Sequence, residues 1–295
     1  MEPFWPRRSP HFLACRRAVR PFDGPAVIGL SGGPDSLALV AAAAAEEKDV
    51  SVVVVDHGLQ PGSAEVAERA AAAAREFRFS ATVAKVAVPP GNVEAAAREV
   101  RYNALLERGV DVWVAHTADD QAETLLLGAL RGNPAGMPTR NGRVVRPFLT
   151  IRRENTVGAC KELGLEPWHD PMNDDPSFRR VAVRTSIIPV LTDLIGGDAV
   201  PALAATADRI AEDQALIEQL TDLTPTTSCA ELGRDAGAVR RRRLAKWLWD
   251  EGVRVQGDQL AAIEALVTDW HGQGPIPVGG GRAVVRNGAK LTLVR

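Results

Sequence analysis

Only three of the 295 residues are cysteines, Cys15, Cys160 and Cys229, and they lie far apart. An odd number without C-x-x-C spacing argues against a disulfide framework and against a cysteine-built metal or redox site. No apolar run approaches the roughly 18 residues that a membrane span needs. The early arginines Arg7, Arg8, Arg16 and Arg17 are not followed by the apolar stretch of a signal peptide, so the expectation is a cytoplasmic protein without a membrane partner. Charge of one sign is lacking too. The formal net charge is −2, so any nucleic acid must be held by local basic patches. Internal repeats are missing, and the alanine runs at 41–45 and 70–74 read as helix interior.

What is present is a core-forming composition, 45% hydrophobic, in a chain long enough for one large domain or two ordinary ones. Its organising stretch is AVIGLSGGPDSLALV, residues 26–40. The apolar run 26–30 reads as a buried strand. Ser31, Gly32, Gly33 and Pro34 turn it, and Asp35 and Ser36 lead into an alanine-rich helix. Strand, glycine turn and helix together make a phosphate cradle. The glycines leave backbone N–H groups open to an anion, and the helix N-terminus adds donors and partial positive charge. The lysine of a Walker A loop is missing. An ordinary βα turn with Pro34 at the first helical position would not require Ser, two Gly, Asp and Ser together.

Further strands are expected at 50–55, 80–88, 111–115 and 144–148. Helices are expected at 63–77, at 93–108 with Asn92 as N-cap after the break Pro89, Pro90 and Gly91, and within 116–132. A helix around 12–19 is expected on the outside of the domain. The alternation gives an α/β fold, a doubly wound, mainly parallel five-stranded sheet. Ligands of such a sheet lie beyond the carboxyl ends of its strands. That singles out Asp56 and His57, although His57 reads equally as a cap of its own turn. Arg98, Arg101 and Tyr102 share a helical spacing, as a solvated face or a working one.

The second informative stretch is HTADDQAETLLLGALRG, residues 116–132. Asp119 can cap its helix. Asp120, Glu123, Thr124, Leu127 and Arg131 fall on one face, and Leu126, Ala129 and Leu130 on another suited to the core. Two acids at i, i+3 near a phosphate loop repel each other and make sense if a metal ion or an amine sits there. Acids favouring the helix dipole would account for Asp119 and Asp120, less well for Glu123 and His116. Residues 134–143 are polar and turn-rich, a candidate mobile loop. After a helix at 198–220 and a linker at 221–237 come Arg240, Arg241, Arg242, Arg243 and Lys246, too many cations for one salt-bridged face. A helix at 258–270 and an Asn287-Gly288 hairpin follow. The expected domains are 1–220, catalytic, and 221–295, a small helical module ending in a β-hairpin.

The SGGPDS loop resembles the SGGxDS loop of the PP-loop ATP pyrophosphatases, which cleave ATP between its α and β phosphates. HTADDQAET…RG closely resembles the HHxDDQAET…RG element of the tRNA(Ile)-lysidine synthetases within that superfamily. Thr117 replaces the second histidine, and the stretch after Gly132 is shortened. VDHGL at 55–59, the R-x-x-R-Y spacing at 98–102, RPFLTIRRE at 146–154 and the block at 168–191 are similar to further family elements, with Val181 where an asparagine is common. The resemblance covers about residues 24–191, and 238–295 more loosely.

It implies ATP and Mg2+ as cofactors. Ser31, Gly32, Gly33, Pro34 and Ser36 would hold the pyrophosphate portion, Asp35 would lie near the magnesium, and Asp56, His57 and His116 would line the nucleotide. Asp35, Asp120, Glu123 and Arg184 would be catalytic, with Asp120 and Glu123 receiving free L-lysine. Arg101, Arg131, Arg180 and the run Arg240, Arg241, Arg242 and Arg243 would contact tRNA. The implied reaction joins lysine to carbon 2 of the wobble cytidine in the CAU anticodon of tRNA(Ile), through an adenylylated cytidine. Two other readings stay open. A tRNA thiolase of the same superfamily needs catalytic or cluster-binding cysteines. A non-enzymatic adenine-nucleotide-binding module would leave the convergence of Asp35, Asp120 and Glu123 unexplained.

Overall fold

The computed structural model describes residues 5–6, 8–60, 62–89 and 93–295. The expected Asn92 cap and the break at Pro90 and Gly91 lie outside the described residues. The chain forms two compact units, Met1–Thr124 with Met137–Thr206, and Leu125–Gly136 with Ala207–Arg295.

The first unit opens with α1 (Pro10–Val19), β1 (Ala26–Gly29), α2 (Pro34–Ala45), β2 (Val50–Asp56), α3 (Ser63–Glu76), β3 (Ala81–Lys85), α4 (Val93–Leu106) and β4 (Asp111–Trp113). Next come α5 (Ala118–Ala129), the short strands β5 (Arg140–Asn141) and β6 (Val144–Val145), and α6 (Arg153–Glu162). The sheet order is β3-β2-β1-β4-β6-β5. All pairs are parallel except β5 with β6. The expected count of five strands is thus corrected to six. The extra one is a two-residue polar edge that turns back into β6 at Gly142, φ 56°. Two residues are too few for a period-2 pattern to register in sequence.

From β1 the chain first builds outward through β2 and β3, then returns to β4 on the other side of β1. The carboxyl ends of β1 and β4 therefore flank the point where the winding reverses, where open α/β sheets bind ligands. Residues 31–36 leave β1 there, and residues 116–117 leave β4. Valine-rich β2 is buried over Val52, Val53 and Val54, as parallel strands covered on both faces are. Helix α2 is buried from Ser36 to Ala43, because alanines let it approach its neighbours closely.

Helix α1 packs on the outside of the domain as expected, through one buried face. Phe12, Cys15 and Val19, spaced along one face, are each fully buried. Its start is held by the Glu162 carboxylate of α6, which accepts the N–H groups of His11 (3.3 Å) and Phe12 (2.8 Å). That contact satisfies orphan donors and opposes the helix dipole. Beyond α6 lie α7 (Arg179–Ala182), a π-helical turn (Val183–Ile187), α8 (Ile188–Ile195) and α9 (Ala199–Leu220). The π turn precedes Pro189, which has no N–H to continue an α ladder.

The expected core face of α5 is also corrected. Leu130 is 78% exposed and Ala129 is exposed, whereas Gln121 and Glu123 are fully buried. The polar face turns inward because partners for it wait there.

The second unit contains α10 (Cys229–Arg234), α11 (Gly237–Asp250), α12 (Gly257–Thr268), β7 (Ile276–Gly279), β8 (Arg282–Asn287) and β9 (Lys290–Val294). Leu232, Leu244, Leu248, Ile263, Leu266 and Val284 form its dry centre. The hairpin turns at Gly288, φ 60°. Strand β7 extends the hairpin to three antiparallel strands, and its Pro277 hid it from a sequence reading. Among the described residues no single helix is long and apolar enough to cross a membrane. Phe12→Ala should cost about 3–5 kcal/mol of unfolding free energy by urea denaturation, as for a fully buried aromatic. A loss below about 1 kcal/mol would place α1 outside the cooperative core.

Candidate active site

The phosphate loop is shaped by its own serines. Ser36 Oγ accepts the N–H of Ser31 (3.2 Å), lies 3.0 Å from Ser31 Oγ and donates to the Gly33 carbonyl (3.1 Å). Gly32 has φ 84°, a conformation side chains disfavour. Helix α2 then starts at Pro34 with no side-chain cap, so its first N–H groups are left for an anion.

Helix α5 starts differently. The N–H and Oγ1 of Thr117 both donate to Asp120 Oδ2 at 2.8 Å, and the Asp120 N–H reaches back to Thr117 Oγ1 at 3.4 Å. This reciprocal cap explains why threonine serves where the related motif has histidine. It also corrects the expectation for Asp119, which caps nothing on α5. Asp119 Oδ2 accepts the Arg153 N–H (2.8 Å) and Arg152 Nε (3.1 Å).

Asp35, Asp120 and Glu123 do converge, and the cation between them belongs to the chain. Arg153 Nη2 donates to Asp120 Oδ1 (2.9 Å), and its Nη1 to Glu123 Oε1 (3.2 Å). Its Nε lies 3.6 Å from Asp35 Oδ2. Arg184, carried by the π turn, donates Nε to Glu123 Oε1 at 2.8 Å, and Arg180 Nη1 lies 3.7 Å from Glu123 Oε2. Thr156 Oγ1 bonds Asp35 Oδ1. Burial pushes the Asp35 carboxyl above its ordinary range, against the pull of Arg153 and Thr156. Burial acts on Asp120 too, but Arg153, His116 and the Thr117 donors outweigh it and leave that carboxyl below the usual range. Sequence reasoning missed Arg153. The one signal was two adjacent arginines at the head of a helix, facing a stretch with more acids than bases.

Around this cluster the remaining residues sort themselves. Asp56 shapes its turn by accepting the Gly58 N–H at 3.0 Å, and its carboxyl lies below the ordinary range for that reason. His57 therefore is not needed for the turn. Its Nδ1 is buried without a hydrogen-bond partner, as are His116 Nδ1 and Glu123 Oε2. Arg98 and Arg101 flank the Tyr102 ring, 5.2 and 5.7 Å from its centroid. Gln121, also missed, clamps the returning chain. Its Nε2 donates to the Met137 carbonyl (2.8 Å) and its Oε1 accepts the Met137 N–H (2.7 Å). Arg146 adds a bond to the Pro138 carbonyl (2.8 Å). The expected mobile loop is thus fastened at residues 137–138.

In the second unit Arg131 bonds the Leu127 carbonyl of its own helix at 2.9 Å. The arginine run is not a free cationic face. Arg240 and Arg241 pair with Glu264 (2.9 and 3.2 Å), Arg243 with Asp235 (2.9 Å) and Glu231, and Arg242 bonds Gln214 (2.6 Å). Their acids come from α10 and the turn just ahead of the run, and from α12 beyond it. By contrast Trp249 is 58% exposed with the Arg254 guanidinium 4.0 Å from its ring centroid, and among the described residues Arg254 has no carboxylate partner.

Comparison with known proteins adds to this geometry. Residues 17–191 match the model of a PP-loop domain. A tRNA(Ile)-lysidine synthase of Corynebacterium diphtheriae is 55% identical, over 99% of this chain and 100% of that protein. One of Corynebacterium glutamicum is 50% identical, over 98% and 96%. Among solved structures, a U34-tRNA thiolase, NcsA, of Methanococcus maripaludis with its [4Fe-4S] cluster is 16% identical with a TM-score of 0.55, covering 74% of this chain and 86% of that one. That likeness concerns the fold alone.

Burial, with Arg146, Arg98 and Arg101 nearby, holds the His116 imidazole at a pKa of about 3, so it stays neutral in the folded chain. Unfolded, it would take up a proton below about pH 6.5. Its contribution is therefore fully present above about pH 6.5 and is lost progressively as pH falls toward the folded value. His116→Gln should flatten the decline in urea midpoint between pH 7 and pH 5. An unchanged slope would show that the imidazole is not desolvated.

Proposed function

The chain belongs to the tRNA(Ile)-lysidine synthase family, built on a PP-loop domain, and from that premise we propose how its residues divide the reaction. The enzyme uses ATP to ligate L-lysine to carbon 2 of the wobble cytidine of tRNA(Ile). One observation carries the assignment of roles: the loop after β1 and the acids after β4 meet at the reversal of the sheet, bound to one another through Arg153.

In the first step the cytosine O2 attacks the α phosphorus and pyrophosphate leaves. Ser31, Gly32, Gly33, Pro34 and Ser36 cradle the departing group, supported by the uncapped start of α2. Asp56, His57 and His116 line the nucleotide, and the unpartnered Nδ1 atoms of both histidines are suited to polar contacts with it. Magnesium takes one or two carboxylates together with phosphate oxygens, which suits Asp35 at the mouth of the loop. When bound, the ion draws negative charge off the pyrophosphate. Arg184 is placed to meet charge developing on the α phosphate.

In the second step the ε-amine of free lysine attacks carbon 2 and AMP leaves. The substrate ammonium is received by Asp120 and Glu123, at the Glu123 Oε2 that lacks a hydrogen bond. A carboxylate there also accepts the proton that the amine must lose. The thiolase reading is disfavoured by the thiols. Burial pushes Cys15 and Cys160 up to about 12, opposite to what a reactive thiolate needs. The CAU anticodon, the cytoplasmic location and tRNA contacts at Arg101, Arg131 and Arg180 complete the reading. Residues 221–295 act as the small tRNA-binding module.

Pyrophosphate release with ATP, tRNA and lysine tests the reaction. Asp35→Asn should lower kcat by about 10²–10³, as losing one preorganised electrostatic contact does. Glu123→Gln should raise the KM for lysine far more than the KM for ATP. Equal loss of adenylylation and lysine use would move the amino-acid site elsewhere.

With the arginine run paired to acids, the exposed Trp249 and Arg254 are the module's best-suited RNA contacts. Trp249→Ala should weaken tRNA binding by about 1–3 kcal/mol, the range for one stacked base. Arg254→Gln should flatten the salt dependence by roughly 0.7–0.9 of a log–log unit. Filter binding at several salt concentrations reads both. If Arg241→Gln flattens the slope and Arg254→Gln does not, the run carries the phosphate contacts after all.

A further inference from the structure

Asp35, Asp120 and Glu123 come from two separate segments, and three carboxylates so close together ordinarily attract a divalent cation. Here a guanidinium is already among them. Arg153 spends Nη2 on Asp120 at 2.9 Å and Nη1 on Glu123 at 3.2 Å, with Nε 3.6 Å from Asp35. Its side chain is 19% exposed and that of Glu123 is fully buried. The residue is also fixed by its backbone. The Arg153 N–H donates to Asp119 Oδ2 at 2.8 Å, and its carbonyl accepts Thr156 Oγ1 at 2.8 Å. The same hydroxyl bonds Asp35, so the guanidinium and one of its acids are tied to a single turn of α6. With Arg180 and Arg184 on Glu123, three arginines face three acids. Among the described residues no group of three or more His, Cys, Asp or Glu side chains is arranged to hold a metal ion.

We propose that Arg153 is a specificity-determining residue that bars a divalent ion from the Asp35–Asp120–Glu123 cluster. A metal ion then enters only beside Asp35 and in company with nucleotide phosphates, and Glu123 is kept for the amine of the second substrate. The inference rests on the family reading above for the identity of nucleotide and amine. The exclusion itself rests on charge and geometry. An ion entering the cluster must break two charge-assisted hydrogen bonds and meet a fixed positive charge a few ångströms away. The fork lets one side chain reach acids in different directions at once, and the exclusion itself is carried by its charge.

The test is calorimetric titration of Mn2+ into the full chain, with and without ATP. Wild type without nucleotide should show no specific site, and with ATP it should show one. Arg153→Met without nucleotide should gain a site at least about tenfold tighter than any in wild type. Arg153→Lys, which keeps the charge and is the safer variant for folding, should behave as wild type. A nucleotide-free wild type that binds Mn2+ as tightly as Arg153→Met overturns the proposal, and so does an Arg153→Met chain that gains nothing. Should Arg153→Met not fold, specific Mn2+ binding by nucleotide-free wild type or Arg153→Lys still overturns it, and its absence from both supports it. Failure of the functional reading would register elsewhere, as pyrophosphate release by wild type that is indifferent to lysine.

Discussion

The site depends on one constraint: three carboxylates cannot share a largely buried recess without cations between them. Removing one partner of a buried ion pair typically costs about 3–5 kcal/mol, because the other is left charged and unsolvated. The chain meets the constraint from outside the acidic motif. Arg153 stands at the start of α6, and Arg180 and Arg184 lie along α7 and the π turn that follows it. The acids are therefore not a passive rim. Their charges are met by three arginines delivered by elements that follow the last strand of the sheet.

Helix α6 is the hub of that arrangement. Its first turn holds Asp119, Asp120, Glu123 and Asp35, and Cys160, two turns later, donates Sγ to the Pro34 carbonyl at 3.4 Å. Its last residue caps α1. The phosphate loop is thus supported from beneath by a helix encoded more than a hundred residues later. The serines shape the loop from within, and α6 fixes the start of the helix that follows it.

Much of this was legible. The strand–turn–helix at 26–40, the buried valine strand and the acidic motif after β4 announce themselves through local pattern, and each element lies within a few residues of its expected place. What escaped was set by distant partners. The polar side of α5 turned inward because Arg153 and the Met137 backbone were there to satisfy it, and no local period shows that. The arginine run looked surplus until Glu264 and Gln214 arrived from α12 and α9 to join nearby Asp235. Strand β5 and helix α10 were too short to write a period.

The Gln121 clamp has a further consequence. A single amide donates a hydrogen bond to one residue's carbonyl and accepts one from the same residue's N–H, the pairing that two backbones make in a sheet. Glutamate could not donate, and asparagine would fall one carbon short. The contact therefore tolerates no ordinary substitute and is vulnerable to the slow hydrolysis of glutamine to glutamate. Gln121 is fully buried, so the water needed for that reaction is kept away by the structure the amide secures. The clasp and its protection from chemical ageing are the same piece of packing, and an opening long enough to admit water would begin to make itself permanent.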